Sequence, residues 1–315
     1  MPSWNELLDR FTALADDAKG PFLLDQMNSA LADVSRLRGD RNVILHGSAF
    51  LQKPQAPAQS LQITHEDLNG YMSVMYGMDW TKGVTLVLHT PGGVTNAAES
   101  LVAYIQSKFD YVEVIVPTLA MSAGTMMALS SKVVVMGRQS QLGPIDPQMP
   151  VAGRFVSARA VVEQFERALV DIKGDLTTAH AWAPILQSMG PALLQEAQNA
   201  LDYGESMVAR WLAASMFDGQ PDAAKLGAAV ARHFNDATTH KSHGRRIDRK
   251  EAHDKGVITE ELEANQDLQE AVLTAYHVMT IMFEQGPAAK MLWSNHGRTW
   301  LKNWIPQQVV VQQQA

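Results

Sequence analysis

The sequence contains no cysteine among its 315 residues. Disulfide bridges, thiol nucleophiles and zinc or iron–sulfur sites with cysteine ligands are therefore excluded. The absence of cysteine does not determine the cellular compartment, although it fits a reducing one. The remaining composition, with 46% apolar and 19% charged residues, is typical of a globular protein.

Basic residues are too few for a nucleic-acid-binding surface. The 26 Lys and Arg residues are outnumbered by 33 Asp and Glu residues, and the formal net charge is −7. Binding to a phosphate backbone requires clustered Lys and Arg, so we expect no nucleic-acid partner.

Long apolar runs are missing as well. The most membrane-like window, residues 112–131, is interrupted by Glu113 and Pro117 and followed by Lys132, so it does not predict a spanning helix. The N-terminal stretch MPSWNELLDRFTALADDAKG lacks the basic start and apolar core of a signal peptide. We therefore expect a cytoplasmic protein with no integral membrane segment.

The central part of the chain alternates between short apolar strands and helices. Such an alternation predicts an α/β fold with a parallel sheet covered by helices. One helix is predicted over 64–78, with Thr64 as its N-cap and Asp67 three residues later. The predicted strands are 41–50, 83–90, 111–117 and 132–137, and the other predicted helices are 95–108 and one that begins near Ser122.

Both ends of the chain are predicted to be mainly helical. Residues 3–37 carry apolar residues at helical spacing, and Ser3 followed by Glu6 has the form of a capping box. The segment 235–248 is polar and predicts a loop. Further helices are predicted over most of 156–230, in a short segment ended by Gly256 and over 260–284, and the tail from residue 305 is expected to be disordered or to act as a docking strand.

The first motif is HTPGGVTNAAES, residues 89–100, which begins at the end of an apolar run. Adjacent glycines at Gly92 and Gly93 permit unusual backbone angles and let another group approach the main chain closely. The N–H groups at the start of the following helix have no partner within that helix and can hold an anion. The alternative interpretation is a tight strand–helix turn that merely requires glycine. The phosphate-binding patterns GxGxxG and GxxxxGKS/T are absent.

The second motif is PTLAMSAGTMMALSS, residues 117–131, in which Ser122 lies where another apolar strand passes into a helix. Its neighbours are small or apolar. In open α/β sheets, ligands bind at the C-terminal ends of the strands, so a serine there can present its oxygen to a ligand. The alternative interpretation is that Ser122 only caps the helix.

The two motifs together favour a catalytic interpretation. Because they follow adjacent parallel strands, we expect them to bring a glycine N–H, the serine oxygen and the N–H after the serine to one place. Acyl transfer needs these three parts, a nucleophile and two donors for the oxyanion of the tetrahedral intermediate.

HTPGG, AMSAGT and LGPIDPQ together resemble the ClpP/crotonase-like superfamily. Within it the chain is similar to the signal-peptide-peptidase-A-like serine peptidases, and most similar to the group named serine dehydrogenase proteinases. GRRIDRKEAHDKGV, residues 244–257, resembles the element that closes such domains. The resemblance implies a ClpP/crotonase-like spiral of βαβ units over 41–260, with a helical arm over 1–40 and a C-terminal helix and tail over 261–315.

The resemblance also implies the residues of the site. Ser122 is implied as the nucleophile, and the N–H groups of Gly93 and Ala123 as the oxyanion hole. Gly92 and Gly124 are implied to lie against the substrate. The implied activity is that of a serine endopeptidase that hydrolyses peptide bonds through an acyl-enzyme on Ser122.

Several further expectations follow from the resemblance. It implies a polypeptide substrate, no cofactor and a homo-oligomer. The helices over 3–37 and 260–284 offer apolar faces for self-association, although they could equally pack on their own domain. Two alternatives stay open, a crotonase-type enzyme that acts on an acyl-CoA thioester and a catalytically idle scaffold or peptide-binding protein.

The general base is the least determined part of the site. ClpP itself uses a histidine shortly after the serine, but this region reads SQLGPIDPQM, and Asp146 lies near the matching place. Signal-peptide-peptidase-like enzymes use a lysine farther along in a helix, which corresponds here to Lys173. That lysine lies in the acidic stretch DIKGD, so a surface lysine is the alternative interpretation. His180 and Lys132 are further candidates.

The remaining histidines favour structural roles. His89 ends an apolar strand beside the glycine turn, where a hydrogen-bonded structural histidine is the favoured interpretation. His240, His243 and His253 lie in or near the polar segment 235–248, but their spacing fits no zinc template. We therefore expect a solvated loop and no metal site.

Overall fold

The computed structural model describes residues 4–306. The predicted capping role of Ser3 and the prediction for residues 307–315 of the tail lie outside this range. The helices are α1 (Trp4–Thr12), α2 (Asp16–Leu37), α3 (Ala58–Leu61), α4 (Asp67–Met75), α5 (Thr95–Gln106), α6 (Ala123–Leu129), α7 (Ala158–Gly174), α8 (Ala179–Met189), α9 (Leu193–Ala214), α10 (Ala223–Asn235), α11 (Ala237–His240), α12 (Arg249–Asp254) and α13 (Gln266–Gln285). The strands are β1 (Asn42–Ser48), β2 (Val84–His89), β3 (Val112–Val116), β4 (Leu119–Ala120), β5 (Val134–Met136), β6 (Gln141–Leu142), β7 (Gln148–Val151), β8 (Arg154–Ser157), β9 (Thr259–Glu261), β10 (Ala288–Ser294) and β11 (Thr299–Asn303).

A seven-stranded sheet forms the centre of the molecule, in the order β11-β10-β1-β2-β3-β5-β9. Neighbouring strands from β1 to β9 are parallel. The α/β class that the alternating pattern predicts is confirmed. Since parallel strands end at the same edge of a sheet, β2 and β3 deliver the glycine motif and the serine motif to one edge.

Helices cover both faces of the sheet, and successive strand residues alternate between them. Ile44 and Leu86 belong to a buried cluster with residues of α4, α5, α6, α9 and α10. Val43 and Val87, one position away on the same strands, belong to a second cluster with α1, α2 and α13. The central strands are therefore buried on both faces, as their nearly continuous apolar sequences predict.

The N-terminal and C-terminal helices pack on their own domain. Leu7 of α1, Leu31 of α2 and Val272 of α13 are fully buried in the second cluster, against the sheet. The apolar faces proposed for self-association are thus covered within one chain. Homo-oligomer formation stays a prediction, and these helix faces no longer support it.

Several elements differ from the predictions. The helix predicted over 3–37 is divided into α1 and α2, and Asp16 and Asp17 lie in the first turn of α2, where carboxylates interact favourably with the helix dipole. The helix predicted from residue 260 begins at Gln266, because Thr259–Glu261 pairs with β5 and Asn265 caps the helix. Among residues 4–306 no helix is long and apolar enough to cross a membrane.

The chain after α13 adds two strands that the sequence did not predict. Strand β10 pairs antiparallel with β1, and β11 pairs antiparallel with β10. Residues up to Asn303 therefore extend the central sheet. The division of the chain at residues 40 and 260 stays a prediction.

The start of α4 is capped differently from the prediction. Asp67 accepts a hydrogen bond from the N–H of Thr64 at 2.9 Å, whereas the buried hydroxyl of Thr64 has no partner among residues 4–306. The other carboxylate oxygen of Asp67 accepts a hydrogen bond from Lys290 of β10 at 2.6 Å. The two residues form an ion pair in which both side chains are fully buried.

Candidate active site

The two motifs meet at the ends of their strands. The N–H of Thr90, directly after β2, donates to the carbonyl of Leu119 at 2.9 Å, and the N–H of Met121 donates to the carbonyl of Thr90 at 3.1 Å. This bridge pairs Thr90 with Ala120 in parallel. The glycines after Thr90 and the serine after Met121 are therefore held side by side.

Ser122 occupies a strained turn between β4 and α6. Its φ of 52° and ψ of −118° match the first central residue of a type II′ turn, a position that normally requires glycine. The N–H of Gly124 closes the turn onto the carbonyl of Met121 at 2.8 Å. A side chain at such backbone angles costs about 1 to 3 kcal/mol, and strain of this kind is concentrated at functional sites.

The side chain of Ser122 does not serve the helix that follows it. Its hydroxyl makes no capping hydrogen bond to α6, and the residue is half-buried. The interpretation of Ser122 as a simple helix cap is therefore not supported. A strained strand-to-helix turn that exposes a serine oxygen is the geometry of a nucleophile elbow.

Gly92 lies directly against the serine turn. A Cβ atom at this position would be 2.5 Å from the carbonyl oxygen of Met121 and 2.7 Å from the Cβ of Ser122. Its φ of 94° is also one that side chains rarely adopt. Because the two motifs are in such close contact, position 92 requires glycine.

Gly93 is held from the other side by Ile63. The N–H of Ile63 donates to the carbonyl of Gly92 at 2.8 Å, and the N–H of Val94 donates to the carbonyl of Ile63 at 2.9 Å. A Cβ atom at Gly93 would be 2.4 Å from the nitrogen of Ile63. The glycine turn is thus clamped between Ile63 and the serine turn.

The glycine turn and the serine turn each leave one N–H group available to bind a ligand. The N–H of Gly92 donates to the hydroxyl of Thr90 at 3.1 Å, and that of Gly124 is used by Met121. Within residues 4–306, the N–H groups of Gly93 and Ala123 have no acceptor. Two free donors on either side of a serine can bind an oxyanion. The roles of Gly92 and Gly124 in substrate binding stay predictions.

Asp146 is buried and has two side-chain partners. One carboxylate oxygen accepts a hydrogen bond from the side-chain amide of Gln148 at 2.7 Å. The other lies 2.8 Å from Nδ1 of His243. Asp146 is 2% exposed, and these partners supply the hydrogen bonds that a buried carboxyl group needs.

These strand ends lie within a stretch that matches a known family. Residues 62–178 match the ClpP-like SDH-type serine proteinase family. The predicted resemblance is thereby confirmed. The matched stretch contains the glycine turn, the serine turn and Asp146, whereas His243 lies beyond it.

Two curated relatives come from Methanocaldococcus jannaschii. The uncharacterized protein MJ0137 is 31% identical over 137 residues, which are 44% of this chain and 44% of that protein. The uncharacterized protein MJ1495 is 28% identical over 138 residues, which are 44% of this chain and 46% of that protein. The matched part of the chain therefore spans under half the length of these relatives.

Among solved structures, the chain is similar to two variants of the 1510-N membrane-bound stomatin-specific protease. One gives a TM-score of 0.37 with 20% identity and covers 64% of this chain and 74% of that chain. The other, in complex with a substrate peptide, gives a TM-score of 0.38 with 20% identity and covers 64% of this chain and 70% of that chain.

The lysine and histidine candidates for the base lie in exposed or structural positions. Lys173 is exposed near the end of α7 and makes no hydrogen bond or ion pair among residues 4–306. This position offers none of the burial that a lysine base requires. Lys132 pairs with Asp218 at 3.0 Å, and His180 is exposed. The catalytic role of Lys173 stays a prediction without support from its surroundings.

His89 is a structural residue, as expected from its position at the end of β2. It is fully buried, its Nδ1 lies 2.8 Å from the hydroxyl of Thr118, and its ring stacks on Phe50. Burial lowers the pKa of His89 from 6.5 to about 3, because the charged imidazolium loses its hydration.

This burial predicts a loss of stability at acidic pH. The unfolded chain takes up a proton near pH 6.5, whereas folded His89 stays neutral down to about pH 3, so stability falls as the pH falls through this interval. Acidification from pH 7 to 5 should lower the free energy of unfolding by about 2 kcal/mol through His89 alone. Urea unfolding of His89→Asn should show a pH dependence that is weaker by this amount. The matched control is His65→Asn at an exposed position, and equal pH dependence in His89→Asn and the parent would contradict the prediction.

The segment 235–248 is more ordered than the predicted solvated loop. It contains α11, whose first turn donates two N–H groups to Asp236, and it buries His240. Within residues 4–306, no group of three histidine, aspartate or glutamate side chains could hold a metal. The contact of His243 with Asp146 was missed because residues 97 apart in the sequence carry no local signal of their pairing.

Proposed function

We propose that this protein is a serine peptidase that cleaves peptide bonds through an acyl-enzyme on Ser122. The strained turn of Ser122, set against Gly92, is the observation that carries the proposal. The match of residues 62–178 to a family of serine proteinases supports it. The substrate is a polypeptide.

The chemistry follows from the arrangement of the two turns. The oxygen of Ser122 attacks the carbonyl carbon of the substrate, and the carbonyl oxygen takes up the negative charge. The N–H groups of Gly93 and Ala123 donate to this oxyanion. Collapse of the tetrahedral intermediate releases the amine, and water then hydrolyses the ester on Ser122.

The backbone strain at Ser122 also favours a serine peptidase over the two alternatives, a crotonase-type enzyme and an idle scaffold. A crotonase-type enzyme needs the two N–H donors but no serine nucleophile, and an idle scaffold needs neither. Because a side chain at this position raises the energy of the fold, glycine would be the more stable residue if the hydroxyl had no role.

A covalent probe tests the nucleophile. The parent protein should react with a fluorophosphonate at a single site, and Ser122→Ala should abolish labelling completely, because the attacking oxygen is lost. Intact-mass spectrometry measures the adduct, and thermal unfolding confirms that the variant is folded. Ser188→Ala, at an exposed serine of α8, is the matched control and should label like the parent.

Each other outcome has a defined meaning. A labelled Ser122→Ala protein would move the nucleophile to another residue. A folded parent that takes up no probe would contradict the peptidase and favour the idle scaffold. Hydrolysis of an acyl-CoA thioester by an unlabelled parent would favour the crotonase-type alternative.

A further inference from the structure

We infer that His243, oriented by Asp146, is the general base that activates Ser122. The inference rests on the proposed role of Ser122 as the nucleophile. Three segments that are distant in sequence support it, because the structure lays them side by side.

Leu142 of β6 is the central position of this arrangement. It pairs in parallel with Ala120, two residues before Ser122. On its other side it pairs antiparallel with Ile247, through two reciprocal N–H to carbonyl hydrogen bonds of 2.9 Å. Ser122 follows Ala120 by two residues, Asp146 follows Leu142 by four, and His243 precedes Ile247 by four.

The antiparallel bridge between Leu142 and Ile247 lies near the contact between Asp146 and His243. Asp146 follows Leu142 by four residues, and His243 precedes Ile247 by four residues, so the bridge brings the two segments close together. Their side chains meet at 2.8 Å. The contact therefore joins two segments that the bridge between Leu142 and Ile247 already holds together.

The segment that carries Asp146 starts beside the serine turn. The N–H of Gly143 donates to the hydroxyl of Thr125 in α6 at 2.9 Å. A Cβ atom at Gly143 would be 2.5 Å from Cε of Met121 and 3.6 Å from its Cα. Since Met121 directly precedes Ser122, the chain that leads to Asp146 is in contact with the turn of the nucleophile.

The pair has the hydrogen-bonding pattern that a histidine base requires. With Nδ1–H donating to the carboxylate of Asp146, Nε2 of His243 carries the free electron pair. Nε2 has no partner among residues 4–306, and the side chain of His243 is 29% exposed. Gln148 occupies the second oxygen of Asp146, which fixes the orientation of the carboxylate.

The polar segment around His243 is held at both ends. Nε2 of His240 lies 2.7 Å from the carbonyl oxygen of His233, and Nδ1 of His240 lies 2.9 Å from the guanidinium of Arg245. Arg245 in turn donates to both carboxylate oxygens of Glu251, at 2.7 and 3.0 Å. His243 is thus presented from an anchored turn, as a positioned base requires.

A cavity lies beside the pair. It has a volume of about 350 Å³ and is lined by Asp146, Ser157, Arg159, Lys241 and His243, among others. Neither Ser122 nor Lys173 lines it.

The proton balance of the reaction needs no reactant other than water. As the bond from the oxygen of Ser122 to the substrate carbon forms, Nε2 of His243 takes the hydroxyl proton. The imidazolium then gives this proton to the leaving nitrogen as the carbon–nitrogen bond breaks. In the second half, Nε2 takes a proton from water and returns it to Ser122.

The test compares rates of fluorophosphonate labelling and peptide hydrolysis in matched variants. His243→Ala should lower both rates by at least about a hundredfold, which is the usual contribution of a general base. Added imidazole should restore part of the rate in His243→Ala, a rescue that a purely structural defect would not show. His253→Ala, at an exposed histidine of α12, is the control and should match the parent.

Two further variants separate the roles of the other candidates. Asp146→Asn should lower the rate without rescue by imidazole, because the ring is present but misoriented. Lys173→Met should match the parent. A parent-like rate in folded His243→Ala, or a hundredfold loss confined to Lys173→Met, would overturn the inference while labelling at Ser122 left the proposed function intact. A parent that takes up no label would overturn both.

Discussion

Gly93→Val is expected to lower the rate of acylation of Ser122 by on the order of a hundredfold, the usual loss when one oxyanion donor is removed. Valine disfavours the φ of 157° at this position, and its Cβ would lie 2.3 Å from the carbonyl oxygen of Ile63. The turn must therefore shift, and the free N–H of Gly93 moves with it. The rate of fluorophosphonate labelling, at equal folded fraction, measures the effect.

The control for this experiment is Gly39→Val. Gly39 also has a positive φ, of 74°, but a Cβ there meets no atom within 4 Å. The substitution strains the backbone after α2 without touching the site, so acylation should proceed at the parent rate. Equal acylation rates in Gly93→Val and Gly39→Val would show that the glycine turn is not an oxyanion hole.

Lys290→Met is expected to lower the free energy of unfolding by about 3 to 5 kcal/mol, because it leaves the carboxylate of Asp67 buried without its partner. The ammonium of Lys290 donates to Asp67 and to the carbonyl of Gln62, both at 2.6 Å. Burial lowers the pKa of Lys290, and the nearby carboxylate of Asp67 opposes this shift. The midpoint of urea unfolding, with the slope held constant, measures the loss.

Two further variants test the physical cause. Adding Asp67→Asn to Lys290→Met should recover much of the lost stability, because the unpaired charge is removed. Lys302→Met breaks the more exposed pair with Glu66 nearby and should change stability by less than about 1 kcal/mol. A loss in Lys290→Met no larger than that in Lys302→Met would refute the assigned role of the buried pair.

The buried pair of Lys290 and Asp67 also supports the backbone of the candidate active site. Gln62 and Asp67 flank the segment in which Ile63 pairs with the glycine turn. Strand β10 therefore holds the outer side of this turn from the far end of the sequence. We expect Lys290→Met to lower the acylation rate as well, through the position of Gly93.

The sequence by itself determined the parts of this protein that depend on local pattern. Apolar runs such as VTLVLH and VEVIV predict buried strands because side chains on both faces of a covered parallel sheet are apolar. The paired glycines and the serine could be assigned to one edge, since parallel strands end together. These local signals were sufficient for the α/β class and for the two turns.

Only the tertiary structure decided which groups of those turns are free and what surrounds them. The hydroxyl of Thr90 takes the N–H of Gly92 and leaves that of Gly93, a choice set by backbone angles that the sequence does not encode locally. The pairing of Asp146 with His243 joins segments 97 residues apart, which the bridge between Leu142 and Ile247 also connects. Contacts between distant segments are set by how the whole core packs. The family resemblance therefore pointed to Lys173, while the fold placed His243 beside the buried carboxylate.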